Sequence, residues 1–391
     1  MTAAPGPGAP VAPGVAPLHL GPIAVDPPVV LAPMAGVTNP AFRAVCRSFG
    51  GGLLVSEMVN ARGLVEGSDR SEALVAREAG APHHSVQLYG TDPVAMGAAV
   101  HRLVDEMGAD HVDLNFGCPV PKVTRKGGGA ALPVHRVLFG RVVAAAVAAA
   151  GDVPVTVKMR IGTDHAHRTH LEAGRIDADA GAAAVALHAR TAEQRYSGAA
   201  DWSAVAELRA AVPAAVPVLG NGDVWTGADA LRLLAETGCD GVVVGRGCLG
   251  RPWLFAELAA AFAGAPVPAP PTLAEVVATM GTHVHLLVDE LGEVTGVRSF
   301  RKHVAWYLLN RPVGRAARAD LVAAEHLAGL DAALARLLEV ADPSHRPTPA
   351  EAAAPRGHTN GPSRVVVPDG WYDDVDDPTP PRGADLLVSG G

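Results

Sequence analysis

Short apolar runs recur along the first two thirds of the chain, and longer stretches of helix-forming residues separate most of them. The runs are Val29 to Ala32, Leu53 to Ser56, Ser85 to Leu88, His111 to Leu114, Val153 to Val157, Ala183 to Leu187, Val216 to Leu219 and Gly241 to Val244. Near-continuous apolar runs of this length read as strands buried on both faces, as in a parallel sheet. The intervening segments, such as Pro93 to Met107, Val134 to Ala150 and Gly227 to Thr237, carry helix formers, and Asn39-Pro40 ahead of Ala41 to Phe49 reads as a helix start. Eight such repeats over about 230 residues predict an α/β fold, a (β/α)8 TIM barrel, because an open doubly wound sheet usually has fewer strands.

The pattern changes twice outside the barrel. Residues 1 to 17 are dominated by Ala, Pro, Gly and Val, with no charged side chain and no apolar period, which predicts a disordered leader before a barrel domain over 18–264. A Pro-rich joint from Ala265 to Pro271 marks a boundary, and Thr272 with Glu275 three residues on reads as a capping box opening a helical domain over 271–345. Beyond that the composition returns to Pro, Gly, Ala and Asp. A disordered tail over 346–391 is expected, with Asp373-Asp374-Val375-Asp376-Asp377 solvated.

Composition narrows the class. The 391 residues are 49% hydrophobic, enough for a large core. No apolar run is long enough to cross a bilayer and no secretory signal is visible, so a cytoplasmic protein without a membrane partner is expected. Cys46, Cys118, Cys239 and Cys248 lie far apart without a Cys-x-x-Cys pair, which suggests neither a disulfide framework nor a cysteine zinc site. His165, His167 and His170 sit in a loop beside Arg168 and read as solvated, so no metal is assigned. The net charge of −8 argues against a nucleic-acid partner unless a local patch is hidden in the average. Such a stretch exists. From Val294 to Ala319 there is no Asp or Glu, whereas Arg298, Arg301, Lys302, Arg311, Arg315 and Arg318 are basic, and the first three share one helix face with Trp306 and Tyr307 a turn further on.

In a barrel, chemistry gathers where strands end. The residues following the eight runs are unusually polar: Pro33-Met34-Ala35, Glu57, Gln87 with Tyr89, Asn115 with Cys118, Lys158 and Arg160, His188 and Arg190, Asn221-Gly222-Asp223, and Gly245-Arg246-Gly247. Asn115-Phe116-Gly117-Cys118-Pro119 presents a thiol on a loop braced by glycine and proline, where it can act as an acid. The glycine-containing loops after the last two strands occupy the position where barrels frequently bind phosphate. Lys126-Gly127-Gly128-Gly129 lacks the spacing of a P-loop and reads as a hinge.

Taken in order, Ala32-Pro33-Met34-Ala35-Gly36-Val37-Thr38, Gln87-Leu88-Tyr89-Gly90, Asn115-Phe116-Gly117-Cys118-Pro119, Val157-Lys158-Met159-Arg160, His188-Ala189-Arg190-Thr191, Gly220-Asn221-Gly222-Asp223 and Gly245-Arg246-Gly247 with Gly250-Arg251-Pro252-Trp253 resemble the flavin-dependent tRNA-dihydrouridine synthases, most of all their bacterial B-like branch. The likeness covers about Pro28 to Trp253 and continues through Arg298-Ser299-Phe300-Arg301-Lys302-His303 and Trp306-Tyr307, which resemble the family's tRNA-binding helical domain.

The resemblance implies FMN as prosthetic group, NADPH or NADH as its reductant, and reduction of the C5=C6 bond of a uridine in tRNA, with hydride reaching C6 from reduced FMN and a proton reaching C5 from Cys118. It further implies that Pro33, Met34, Ala35 and Gln87 contact the flavin ring, that Lys158 supplies positive charge to it and His188 a further contact, and that Asn221, Gly222, Asp223, Gly245 and Arg246 hold the ribityl phosphate. Asn115 and Arg160 would orient the uracil or the flavin. Arg195 and Tyr196 would lie beside the RNA channel, with Tyr196 either stacking on RNA or packing internally, while Arg298, Arg301 and Lys302 would meet the RNA backbone. No obligate protein partner is implied. The rival readings are an FMN barrel reductase of a small pyrimidine or enone, and a noncatalytic tRNA-binding protein.

Overall fold

A computed structural model of the chain describes residues 14–357, 361–381 and 383. Most of the expected leader, residues 1–13, therefore lies outside the described residues. Two short strands, β1 (Leu18–Leu20) and β2 (Ile23–Val25), form an antiparallel hairpin. The strands of the main sheet follow as β3 (Val29–Leu31), β4 (Leu53–Leu54), β5 (Met58–Asn60), β6 (Ser85–Tyr89), β7 (His111–Phe116), β8 (Val155–Arg160), β9 (Ala184–His188), β10 (Val218–Asn221) and β11 (Gly241–Val244). Their order is β4-β3-β11-β10-β9-β8-β7-β6-β5, parallel throughout.

The two edge strands, β4 and β5, are consecutive in the chain. They are the halves of one barrel strand, and the Ser56 N–H donating to the Ser85 carbonyl at 3.1 Å joins β6 across the break. The ring is thus the expected eight-stranded barrel, with its second strand interrupted at Val55-Ser56-Glu57. Side chains alternate across each strand. Outward residues such as Val86, Leu88, Val112, Leu114, Phe116, Val157 and Met159 join the large apolar cluster beneath the outer helices. The inward face is mixed: Leu18, Leu20, Ile23 and Val25 of the hairpin pack on Val30, Leu53, Val55, Ala184, Ala186, Leu219 and Val243, while Ser85, Gln87, His111, Asp113 and Thr156 form a buried polar layer.

After the joint, helices Leu273–Leu291, Glu293–Tyr307, Arg315–Ala323 and Leu327–Val340 build a second core around Val276, Met280, Val297, Phe300, Tyr307 and Leu334. Thr272 caps the first of these helices, and Glu275 completes the expected capping box. Among the described residues, no helix is long and apolar enough to cross a membrane.

The acid-free stretch is used differently from the expectation. Arg301 donates to the Ala324 carbonyl at 3.0 Å, Arg318 to those of Leu308 (2.8 Å) and Arg311 (3.0 Å), and buried Arg311 to that of Pro271 (2.9 Å). With no carboxylate nearby in sequence, several of these guanidinium groups satisfy carbonyls at helix ends and in loops, where negative dipole ends attract cations. Tyr307 is a core residue.

The tail also departs from its composition. Its described part lies against the barrel: Trp371 is buried on Ala131 and Val134, donates from its indole to the Ala131 carbonyl at 3.0 Å and meets the His135 ring in a tilted pair with centroids 3.8 Å apart. Tyr372 stacks on His167 at 3.9 Å and donates to the Thr163 hydroxyl at 3.2 Å, and Arg136 pairs with Asp376. Gly127 has φ +73, and a Cβ there would lie 2.4 Å from the Trp371 ring, so the expected hinge is a seat for the tail.

Burial holds His111 and His283 neutral, each with a pKa lowered to about 3. The unfolded chain would protonate them near 6.5, so the stability they contribute is complete above that pH and is lost as pH falls toward 3, by about 1.4 kcal/mol per pH unit for each. Asp113, raised to about 6 by burial, opposes this only as pH falls from about 6 toward its ordinary value. The melting temperature should therefore fall between pH 6.5 and 4.5, and His283→Leu should flatten that dependence. Melting curves measured across this pH range check both.

Candidate functional site

A pocket of about 680 Å3 opens at the C-terminal ends of the strands. It gathers Pro33, Met34, Ala35, Gln87, Asn115, Cys118, Lys158, Arg160, His188, Arg195, Tyr196, Asn221, Gly222, Asp223, Gly245 and Arg246 from the sequence-derived set, with Lys302 alone from the basic helix face. Arg298 is exposed, and Arg301 is occupied by Ala324 as described. His165, His167 and His170 stay outside the pocket lining, where His167 pairs with Asp164 at 2.9 Å and His170 approaches Glu207 at 3.3 Å.

Cys118 follows β7 on a loop gripped by the side chains of Asn115 and Arg160. Asn115 Oδ1 accepts from the backbone N–H groups of Gly117 at 3.1 Å and Cys118 at 2.9 Å, so the strand's last inward residue folds its own loop back. Burial raises the thiol's pKa, outweighing the opposing backbone hydrogen bond and the nearby Arg160 charge. The thiol therefore remains protonated at neutral pH.

Arg160 extends from β8 and is almost fully buried. Its guanidinium donates to the carbonyls of Gly117 at 2.8 Å and of Thr191 and Arg195 at 3.0 Å, linking the loops after β7 and β9. Lys158, two residues earlier on the same face, donates to Asn221 Oδ1 at 3.0 Å. Burial, followed by repulsion from Arg160, lowers its pKa to about 8, so most of it is charged at pH 7. His188 is held well below its ordinary range by burial first and then by Arg160, Lys158, Arg190 and Arg246. One neutral imidazole thus sits among cations.

Beside Lys158, Asn221 also donates to the Val243 carbonyl at 2.7 Å, fixing β10 to β11. Gly222 has φ +128, and a Cβ there would lie 2.8 Å from Ala200, so the chain can make this approach only as glycine. Asp223 faces arginines: it pairs with Arg190 at 2.6 Å and with Arg246 at 3.4 Å. A carboxylate repels phosphate, so Asp223 is suited to hold Arg246 rather than to contact an anion directly. The Arg246 guanidinium also lies over the rings of Tyr196 at 4.4 Å and Trp225 at 5.2 Å. Tyr196 itself stays exposed at the pocket, so a face of its ring is open to solvent.

The expected Lys302 enters with Trp306 from the helix Glu293–Tyr307, and Lys302 donates to the Gly36 carbonyl, joining the two domains. Other residues escaped sequence reasoning. Gly357 of the tail reaches the pocket beside Arg246. Asp113 lies beneath it, bonded to Gln87 and Thr156. Its signal was the alternation His111, Asp113, Asn115, three polar residues on one face of an otherwise apolar strand.

Comparison with known proteins adds to this geometry. Residues 30–341 match the model of the family described as dihydrouridine synthase. A probable tRNA-dihydrouridine synthase of Mycobacterium tuberculosis is 53% identical over 383 residues, covering 96% of this chain and 97% of that protein. One of Mycobacterium leprae is 51% identical over 393 residues, covering 93% and 100%. The tRNA-dihydrouridine synthase B of Xanthomonas axonopodis pv. citri is 40% identical over 308 residues, covering 79% of this chain and 92% of its own length.

Proposed function

Because the chain belongs to the dihydrouridine synthase family, we propose that its pocket reduces the C5=C6 bond of uridines in tRNA with FMN as prosthetic group and NADPH or NADH as reductant. The observation that carries the reading is the meeting of a protonated, backbone-held thiol with a buried cation in one pocket of ligand size.

The residues fit FMN. Pro33, Met34 and Ala35 offer an apolar wall, Gln87 and Asn115 offer amides, Lys158 offers a cation to a ring that becomes anionic on reduction, and the segment around Gly222, Gly245 and Arg246 offers backbone donors and a guanidinium to a phosphate. When bound, FMN supplies hydride to uracil C6. Cys118 supplies the proton to C5, and the thiolate left behind lies in the field of Arg160. Lys158 retains its proton and acts by charge.

The pocket takes one base, so a paired or stacked uridine must be extruded from the tRNA to reach it. Lys302 and Trp306 at the rim provide a cation and a stacking face for that strand. A tRNA substrate and four free cysteines support a cytoplasmic location.

The test is a visible absorption spectrum recorded anaerobically. The purified protein should carry an oxidised flavin that NADPH bleaches and unmodified tRNA restores, with dihydrouridine formed. A flavin bleached but not restored by tRNA would remove the substrate from the reading and favour a small-molecule reductase. No flavin after FMN is supplied would remove the cofactor.

A further inference from the structure

Asp113 takes no part in the chemistry above, yet a buried hydrogen-bond network runs outward from it. Its side chain is 5% exposed. Oδ2 accepts from Gln87 Nε2 at 2.6 Å and Oδ1 from the Thr156 hydroxyl at 2.5 Å. We propose that Asp113 is a positioning residue that sets the orientation of the Gln87 and Asn115 amides and, through them, the loop carrying Cys118. What that loop does rests on the synthase reading; how it is held does not.

An ionised carboxylate can only accept, so Gln87 must turn its NH2 toward Asp113 and its oxygen away. That oxygen accepts from Asn115 Nδ2 at 2.8 Å. Asn115 must then present Oδ1 to the Gly117 and Cys118 N–H groups, which is the contact that shapes the acid loop. Were either amide reversed, two NH2 groups or two oxygens would face each other in a site with little water to compensate. The other branch is equally ordered. Thr156 gives its hydrogen to Asp113 and so accepts from His111 Nε2 at 3.0 Å, leaving His111 Nδ1 to accept from the Ser85 hydroxyl at 2.8 Å.

The two branches differ in freedom, and this separates positioning from charge or simple packing. Hydroxyls rotate and a neutral imidazole has two tautomers, so the Thr156–His111–Ser85 branch can reverse as a unit. The Gln87–Asn115 branch ends on two backbone N–H groups and cannot. Asp113→Asn should therefore be tolerated: its oxygen stays on Gln87, its NH2 turns to Thr156, and His111 changes tautomer. Asp113→Leu removes the acceptor and frees Gln87.

The experiment follows alkylation of Cys118 by iodoacetamide, localised by peptide mass spectrometry in the full-length flavoprotein, together with single-turnover formation of dihydrouridine. Asp113→Leu should label Cys118 at least about tenfold faster and lower the turnover rate by about 100-fold, the scale of a misplaced reacting group. Asp113→Asn should match the unaltered protein in Cys118 labelling, with its imidazole nitrogen shifts showing the other His111 tautomer. Buried Cys46 and Cys248 report global unfolding. If Asp113→Leu exposes them too, Gln87→Met breaks the same chain at its middle link and should accelerate labelling at Cys118 alone.

Unchanged Cys118 labelling in a folded Asp113→Leu or Gln87→Met protein overturns the proposal. So does an Asp113→Asn protein that behaves like Asp113→Leu, because the negative charge rather than the acceptor would then be the requirement. Absence of dihydrouridine from the unaltered protein would defeat the synthase reading instead, and the labelling result would still decide the role of Asp113.

Discussion

Cys118→Ala is expected to retain FMN and to be bleached by NADPH at an unchanged rate, while dihydrouridine formation on unmodified tRNA falls by about 100- to 10,000-fold, the usual contribution of a positioned acid. The loop geometry makes this a clean separation. Asn115 grips backbone N–H groups, which alanine keeps, so the loop persists and only the proton is lost. The raised thiol pKa adds a second signature: in the unaltered enzyme the proton-transfer step should stay level through the pH range near 8.5 where an ordinary thiol ionises. Single-turnover rates with pre-reduced enzyme across that range check both points. A small loss in Cys118→Ala, or a decline near pH 8.5, would assign the proton to another group.

Lys158→Met should act on the other half of the cycle. Removing a buried cation leaves the reduced, anionic flavin less stabilised; a hydrogen bond from a charged donor is worth about 1.5–3 kcal/mol. For a two-electron couple this lowers the potential by about 30–65 mV. Flavin reduction by NADPH slows accordingly, and Asn221 Oδ1 loses its donor. The pKa of about 8 also gives the unaltered enzyme a pH dependence in the apo state: charge at this position is largely present at pH 7 and largely absent at pH 9. An equilibrium titration of the flavin against a dye of known potential measures the shift. An unchanged potential would remove Lys158 from this role.

Much of the site was legible because barrels place polar residues at strand ends, and eight apolar runs were enough to locate those ends. The break in the second strand was not. Leu53–Leu54 and Met58–Asn60 are two and three residues long, too short for periodicity to distinguish two segments from one. Asp113 was hidden because an inward polar residue in a strand has the same pattern as a solvent-facing one; only its neighbours in space show that it is buried. The arginines of the helical domain were read by charge, but their partners are carbonyls, near in sequence for Arg318 and remote for Arg301 and Arg311, and a charge pattern encodes neither. The tail was read by its small apolar content, whereas its attachment relies on two aromatic rings and a few polar bonds.

That attachment has a mechanical side. The described tail lies beside Arg246 after β11 at Gly357, donates from the Ser363 N–H to the Glu193 carbonyl after β9 at 2.9 Å, meets Thr163 and His167 after β8, and reaches Ala131 and Arg136 beyond β7. One strip of chain thus cross-links loops over half of the barrel's rim, so displacing any of them strains the others. The remaining arc is fastened differently: the β3 loop meets the helical domain through Lys302 on the Gly36 carbonyl and Glu290 on the Ala41 N–H. The rim thus has two fasteners, the tail along one arc and the helical domain along the other, and cutting the tail would free only the loops that it holds.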